Sequence, residues 1–322
     1  MRRPSARVRF GRLHIEIQRQ NVKVRGGPDG LHLFDRSNGF NALLDEVQVP
    51  RDRWSKAPRQ VSIALTNLCD LQCSYCYAPK HRSALDVDVV GSWLTELDSA
   101  GCLGVGFGGG EPTLHPAFAE ICGAAARDTQ LAITFTTHGH RLIPRLLDQL
   151  VGSVHFIRVS IDGVGRTYER LRGRPFQNLV TRLRDARQLA PIGINVVVNA
   201  DTVDELNALV ELAEEVKASE LLLLPQQPTH AVNAIDAPVK RKLTSWLSAA
   251  KPGVRLAISE AGAQGIPTCD PLPKEKGLRS YVHIDASGYV RSNSYAKEGV
   301  AVGIEGVIPA IGRLRAAIGD NN

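Results

Sequence analysis

The chain has 322 residues, 43% hydrophobic and 22% charged, with six cysteines and a formal net charge of +6. That is the composition of a soluble globular protein with a sizeable core, in one large domain or one large and one small. It excludes a membrane-spanning helix, because no apolar run approaches ~18 residues, and a disulfide framework, because three of the six cysteines are clustered.

The opening "MRRPSARVRFGRL" has basic residues but no apolar stretch behind them, so no secretory signal is expected. With this cysteine usage, a reducing, cytoplasmic location is expected. Residues 1–25 carry Arg2, Arg3, Arg7, Arg9, Arg12, Arg19, Lys23 and Arg25 against Glu16, a net of +7 that leaves −1 for the rest of the chain. A solvated strand surface is the expectation, with a dock for an acidic partner as the alternative. No aromatic-rich motif accompanies the charge, so a nucleic-acid partner is not expected.

Val8 and Phe10, then Leu13, Ile15 and Ile17, then Val22 and Val24 alternate two apart, with a phase slip at Gly11-Arg12 that reads as a turn or bulge. "GGPDG" at 26–30 is a turn. Residues 1–58 therefore read as a small β subdomain and lead-in. From residue 61 a strand–loop–helix pattern repeats. Strands are expected at 61–66, 103–107, 131–136, 154–160, 194–199 and 220–225, apolar enough to be buried on both faces. Helices are expected near 84–100, 116–128, 141–150, 176–190 and 203–217, the last capped by Asp201 or Thr202. Six strands alternating with five helices predict an α/β domain over 59–226. Its form would be a partial (β/α)6 barrel of parallel strands, with its chemistry at their carboxyl ends. After 226 the rhythm breaks. A helix over 239–251, strands in "VRLAI" and "YVHI", a hairpin turn at "DASGY" and a helix at 310–318 predict a C-terminal α+β extension over 227–322.

The segment "TNLCDLQCSYCYAPK" (66–80) follows the first barrel strand directly and places Cys69, Cys73 and Cys76 on its carboxyl-end loop. Two readings are open. One is a non-catalytic zinc module with His81 as fourth ligand. The other is an iron–sulfur cluster with one iron left without a protein ligand, since such clusters normally take four thiolates and a vacant position is what catalysis at a metal needs. One βα unit later comes "GFGGGEP" (106–112), whose glycines let a ligand approach the backbone and whose Glu111 carboxylate and exposed backbone carbonyls suit a protonated amine. A structural zinc site has no need of that loop. Cys102 and Cys122 read as core residues.

These residues resemble the CxxxCxxC signature of the radical S-adenosylmethionine (radical SAM) enzymes, with Tyr75 as the aromatic residue before the third cysteine. The resemblance covers about 61–225. It implies one [4Fe-4S] cluster on Cys69, Cys73 and Cys76, and S-adenosylmethionine as cofactor. It implies that "GGEP" (Gly109, Gly110, Glu111, Pro112) binds the cofactor's amine. It also implies roles for Ser160 and Asp162 of "VSIDG" facing nucleoside or substrate, and for Val198, with Asn199, against the adenine. Where relatives read "TNG", this chain has Thr137, His138 and Gly139; His138 is read as a substrate-side group or a satisfied surface histidine. Tyr168, Arg170, Arg172 and Arg174 are read as cofactor or substrate contacts, or as a solvated basic helix start. Residues 269–296 resemble a SPASM or twitch extension, but Cys269 stands without partners, and Ser292, Asn293 and Ser294 occupy the place of a cysteine. The implied reaction is reductive cleavage to a 5′-deoxyadenosyl radical that takes hydrogen from a substrate. A ribosomally made peptide is the first expectation and a sugar, nucleoside or other small molecule the second. An electron donor such as flavodoxin or ferredoxin is implied. No general acid or base is assigned.

Overall fold

The computed structural model describes residues 5–10, 13–18 and 22–320, the first two segments by their backbone alone. Strands β1 (Ser5–Phe10) and β2 (Leu13–Gln18) pair antiparallel; the slip at Gly11-Arg12 lies outside the described residues. Strands β3 (Val22–Gly27), β4 (Gly30–Asp35) and β5 (Phe40–Leu44) form a second antiparallel sheet, with "GGPDG" as the β3–β4 turn.

The six expected strands are present as β6 (Gln60–Thr66), β7 (Gly104–Gly109), β8 (Ala132–Thr137), β9 (Phe156–Ser160), β10 (Ile192–Val198) and β11 (Glu220–Pro225), adjacent in chain order and parallel. The C-terminal segment adds to both edges. Strand β12 (Arg255–Ile258) pairs parallel with β11, and β13 (Tyr281–Ile284) pairs parallel with β6. Strands β14 (Tyr289–Arg291) and β15 (Val300–Ala301) then follow antiparallel. The result is one open ten-stranded α/β sheet with eight parallel strands in a row, which agrees with the partial-barrel expectation.

The crossovers carry helices α1 (Val87–Ser99), α2 (Phe118–Asp128), α3 (Pro144–Gln149), α4 (Gly165–Arg172), α5 (Phe176–Leu189) and α6 (Leu206–Glu215); α7 (Ala237–Ala249) and α8 (Val307–Ala317) lie in the C-terminal segment. Helix α4 falls outside the five expected helices and begins ahead of Tyr168, where a basic helix start was one of the two readings. Neither expected cap serves α6. Thr202 Oγ1 donates to Val197 O at 2.6 Å, and Asp201 pairs with Arg170. Asp86 does cap α1, accepting from Asp88 N and Val89 N, while Glu96 of α1 accepts from Val307 N and Ile308 N at the start of α8. Two helices of distant sequence are thereby locked together.

The sheet is not buried on both faces, contrary to the expectation from its apolar strands. One face is sealed by helices: Ile63, Val105, Ile133, Ile157, Val159, Ile194 and Val196 are inaccessible and pack with Leu94, Ile121, Leu179, Leu183 and Leu209. The opposite face carries Ser62, Gly106, Thr134, Thr136, Arg158 and Ser160, all half-buried. Strand alternation explains the division, and it leaves an open, polar side to the sheet.

Two of the amino-terminal basic residues are buried ion-pair partners and not part of a solvated surface. Lys23 binds Asp98, and Arg25, 2% exposed, binds Glu275. Arg2, Arg3, Arg12 and Arg19 lie outside the described residues, and the side chains of Arg7 and Arg9 are not described. Arg36 closes α2 by donating to the carbonyls of Ala126, Thr129 and Leu131.

Candidate active site

The loop after β6 carries Cys69, Cys73 and Cys76, all unpaired and half-buried. Cys76 N donates to Cys73 O at 3.2 Å and Leu71 N to Cys69 Sγ at 3.4 Å, so the loop is wound on itself. Burial, with the nearby Glu111, Cys76 and Asp70, pushes the Cys69 thiol up to about 11. Holding it as a thiolate therefore calls for a strong positive charge, which iron supplies. A single zinc bonds sulfur at ~2.3 Å and draws its tetrahedral ligands to about 3.8 Å from one another. Among the described residues, the set of three ligand-type groups within 4.8 Å of one another is Cys69, Asp70 and His138; none joins the three cysteines. His81, the proposed fourth zinc ligand, is instead in reach of Asn67 Nδ2 at 3.3 Å and Ser287 Oγ at 3.5 Å. The three cysteine sulfurs therefore do not all lie within 4.8 Å of one another, as ligands of a single zinc would. The Cys69–Asp70–His138 set is not a metal site either. His138 Nδ1 accepts from His140 N at 3.1 Å and Nε2 faces Asp70 Oδ1 at 2.8 Å, so the proton sits on Nε2 and neither nitrogen has a free lone pair.

The loop after β7 lies directly under the cysteine loop. Gly110 N donates to Thr66 O and Glu111 N to Leu68 O, both at 2.7 Å. Gly109 has φ +124°, and a Cβ there would sit 2.1 Å from Thr66 O; a Cβ at Gly110 would sit 2.3 Å from Leu68 O. These glycines admit the backbone of the cysteine loop, where the sequence reading had them admit a ligand. Glu111 is wholly buried and its carboxylate is occupied. It accepts from Thr113 Oγ1 at 2.6 Å, Thr137 Oγ1 at 2.8 Å and His138 N at 2.9 Å. The side chain expected to take an amine instead braces the loop after β8, and Pro112 is buried beside it as the first residue of a 3-10 turn. His138 is a satisfied but buried histidine, 4% exposed, and not a surface one. Burial would raise the Asp70 carboxyl, but the N–H of His138 and the charge of Arg174 outweigh it and hold it below its ordinary value. Spacing gave no signal for Asp70; its role comes from the loop's fold.

The end of β9 supplies the second organising carboxylate. Asp162 is wholly buried; Oδ2 accepts from Tyr75 Oη at 2.6 Å and from Arg172 Nη2, and Oδ1 accepts from Val197 N at 2.6 Å. Tyr75 thus spends its hydroxyl on Asp162, and burial, with that carboxylate next, keeps its pKa above the usual value. The three arginines separate: Arg170 pairs with Asp201 in solvent, Arg174 reaches Asp70 at 3.3 Å, and Arg172 is half-buried with Nη1 3.6 Å from Cys73 Sγ. Tyr168 is buried, its hydroxyl 2.7 Å from His140 Nε2; burial, with His138 and Arg174, lowers His140 to about 4. Ser160 stands at the open end of β9. Val198 is wholly buried, and by alternation Val197 is the residue on the open side. The loop after β14 closes the rim, with the Tyr295 ring 5.1 Å from that of Tyr77, next to Cys76. Cys102 and Cys122 are core residues as expected, and Cys269 is exposed.

Residues 63–213 match the family model described as the Radical SAM superfamily. The chain is similar to a GTP 3′,8-cyclase of Chlorobaculum tepidum, 31% identical over 51% of this chain and 52% of that one. It is also similar to a PqqA peptide cyclase of Ruegeria pomeroyi, 31% identical over 51% of this chain and 46% of that one. It thus spans about half the length of the curated relatives it matches. In fold it is similar to Streptococcus suis SuiB bound to the precursor peptide SuiA, with a TM-score of 0.68, 14% identity, and coverage of 86% of this chain and 84% of that one.

Proposed function

Given that residues 63–213 of this chain are a radical SAM superfamily domain, we propose that the protein is an enzyme acting on a ribosomally made peptide. In this reading Cys69, Cys73 and Cys76 hold a single [4Fe-4S] cluster, and S-adenosylmethionine binds at the iron they leave free. The observation that carries it is the placement of three half-buried thiols together on the loop at the carboxyl end of β6. When bound, the cluster and S-adenosylmethionine supply a 5′-deoxyadenosyl radical that removes hydrogen from the substrate. The chain's own residues do the positioning. Glu111 ties the loop after β7 to Thr137 and His138. Asp162 ties Tyr75 of the cysteine loop to Val197 of β10. With the Glu111 carboxylate occupied, a cofactor amine would meet backbone carbonyls of the Gly109–Gly110 loop. Ser160 and the backbone near Val198 remain the nucleoside-side contacts. Thr136 offers a hydrogen bond to a substrate along the open face, beside Thr134, whose hydroxyl donates to Val105 O, and Arg158, which donates to Asn195 and Glu220.

A peptide substrate is supported by relatives named for peptide work, the PqqA peptide cyclase and the sporulation killing factor maturation protein SkfB of Bacillus subtilis. The fold shared with peptide-bound SuiB agrees with it. A nucleotide or other small molecule is the second reading, favoured by the GTP 3′,8-cyclase match. The same reading keeps 1–58, 59–226 and 227–322 as lead-in, radical domain and extension, although strands of the last unit pair into the sheet of the second. It also expects a ferredoxin or flavodoxin as electron donor and a cytoplasmic setting. The test is anaerobic incubation of the reconstituted protein with dithionite and S-adenosylmethionine, with either a short peptide encoded beside its gene or GTP. The peptide should raise 5′-deoxyadenosine above the substrate-free background and change in mass. Conversion of GTP, with the peptide inert, would transfer the assignment to the second reading.

A further inference from the structure

We propose that Arg172 is a positioning residue that makes the cluster on Cys69, Cys73 and Cys76 easier to reduce, by donating an N–H to the Cys73 sulfur. The inference rests on the cluster reading above. The Arg172 side chain is 10% exposed. Its Nη1 lies 3.6 Å from Cys73 Sγ, its Nη2 donates to Asp162, and its guanidinium carbon stands 5.8 Å from the centre of the Tyr75 ring. Among the described residues, its Nε is buried with no hydrogen-bond partner. The fork is therefore held by an anchored carboxylate on one side and an aromatic ring on the other, with one arm on a cluster ligand.

The anchor itself has no slack. Asp162 also holds Tyr75 and Val197 N, so the cysteine loop, α4 and β10 meet at one carboxylate. Neither neighbouring arginine can take over, since Arg170 faces solvent with Asp201 and Arg174 serves Asp70. The guanidinium of Arg172 is a cation at any working pH, and Asp162 holds it in place.

Taking up an electron adds one negative charge to a cluster. A cation and an N–H on a ligating sulfur stabilise that reduced form more than the oxidised one, which raises the potential. Water screens the interaction little at a buried site.

The test is to load wild type, Arg172→Gln, Arg172→Lys and Arg170→Gln with iron and sulfide anaerobically, and to measure bound iron. Each is then poised with redox mediators, and the reduced cluster is counted by electron paramagnetic resonance. At the wild-type midpoint, Arg172→Gln should show about a tenfold lower reduced-to-oxidised ratio, which is a midpoint about 59 mV more negative for a one-electron couple. Arg172→Lys should fall between, keeping the charge but not the fork, and Arg170→Gln should match wild type. A fully loaded Arg172→Gln with the wild-type potential would overturn the proposal. So would cluster loss in Arg172→Gln that Arg172→Lys restores at an unchanged potential, because that is the behaviour of a structural brace. Wild type that binds no iron would sink the cofactor reading itself, and this proposal with it.

Discussion

Two buried arginine–carboxylate pairs sit in different parts of the sheet's surroundings, and they are built differently. Arg25 of β3 spends every donor. Nε and Nη2 go to Glu275, Nη1 to the carbonyls of Ala57 and Gly101, and Nη2 also approaches Arg279 O. It joins the amino-terminal sheet, the lead-in, the turn after α1 and the C-terminal segment. Arg172 spends one arm on Asp162 and turns another to Cys73, with Nε left over among the described residues. A fully satisfied pair is a staple. An incompletely satisfied pair beside three thiols is part of a site, because an unused buried donor is costly to keep unless a ligand completes it.

The largest effect should come from the staple. Arg25→Met leaves Glu275, 4% exposed, with Arg59 at 4.0 Å as its remaining cation. It should cost about 3–5 kcal/mol in a urea titration, while iron bound per folded molecule stays at the wild-type value. A loss of iron in step with stability would erase the distinction between the two pairs. Arg172→Met should cost less, about 1–3 kcal/mol, because Asp162 keeps its donors from Tyr75 and Val197. Equal losses in the two variants would show that both pairs are staples.

A smaller effect separates the two regions by pH. His283 of β13, near the seam with β6, faces Ser62 at 3.2 Å, and burial lowers its pKa to about 4. The unfolded chain takes its proton near 6.5, so the unfolded state binds more protons between those values. Stability is then full above about pH 6.5 and is lost as pH falls towards 4. Between pH 7.5 and 5.5 this histidine should remove about 1 kcal/mol, and His283→Gln should lose that part of the slope. Identical slopes in the two proteins would mean that His283 is not held neutral.

How legible each region was in the sequence follows from how local its signals are. Strands β6 to β11 were readable because short apolar runs alternating with helical stretches are local patterns. The cysteine loop could be placed at the end of β6 for the same reason. Strands β12 and β13, which flank the six central strands, were read as strands, but nothing local told which neighbours they would take. The pairing of β13 is fixed by contacts more than 200 residues apart, as in Tyr281 with Gln60, and that of β12 by contacts 35 residues apart, as in Arg255 with Glu220. The open face was misread because the strands are apolar enough to suggest burial on both sides; Ser62, Thr134 and Thr136 are the alternating signal that shows otherwise. At the site, motif residues were found but their tasks shifted. Glu111 and Tyr75 lie where expected, yet their polar atoms are satisfied by protein. Asp70 was missed, and Arg172 was not separated from Arg170 and Arg174, because burial distinguishes them and spacing does not.

The central claim is that Cys69, Cys73 and Cys76 hold a cluster whose open iron takes S-adenosylmethionine. It is tested most directly by measuring 5′-deoxyadenosine formed by anaerobically reconstituted protein with dithionite, beside the Cys73→Ala variant. The account predicts a coloured wild-type protein that forms 5′-deoxyadenosine, and a folded Cys73→Ala that binds background iron and forms none. A colourless wild-type protein that holds one zinc and forms no 5′-deoxyadenosine would contradict it.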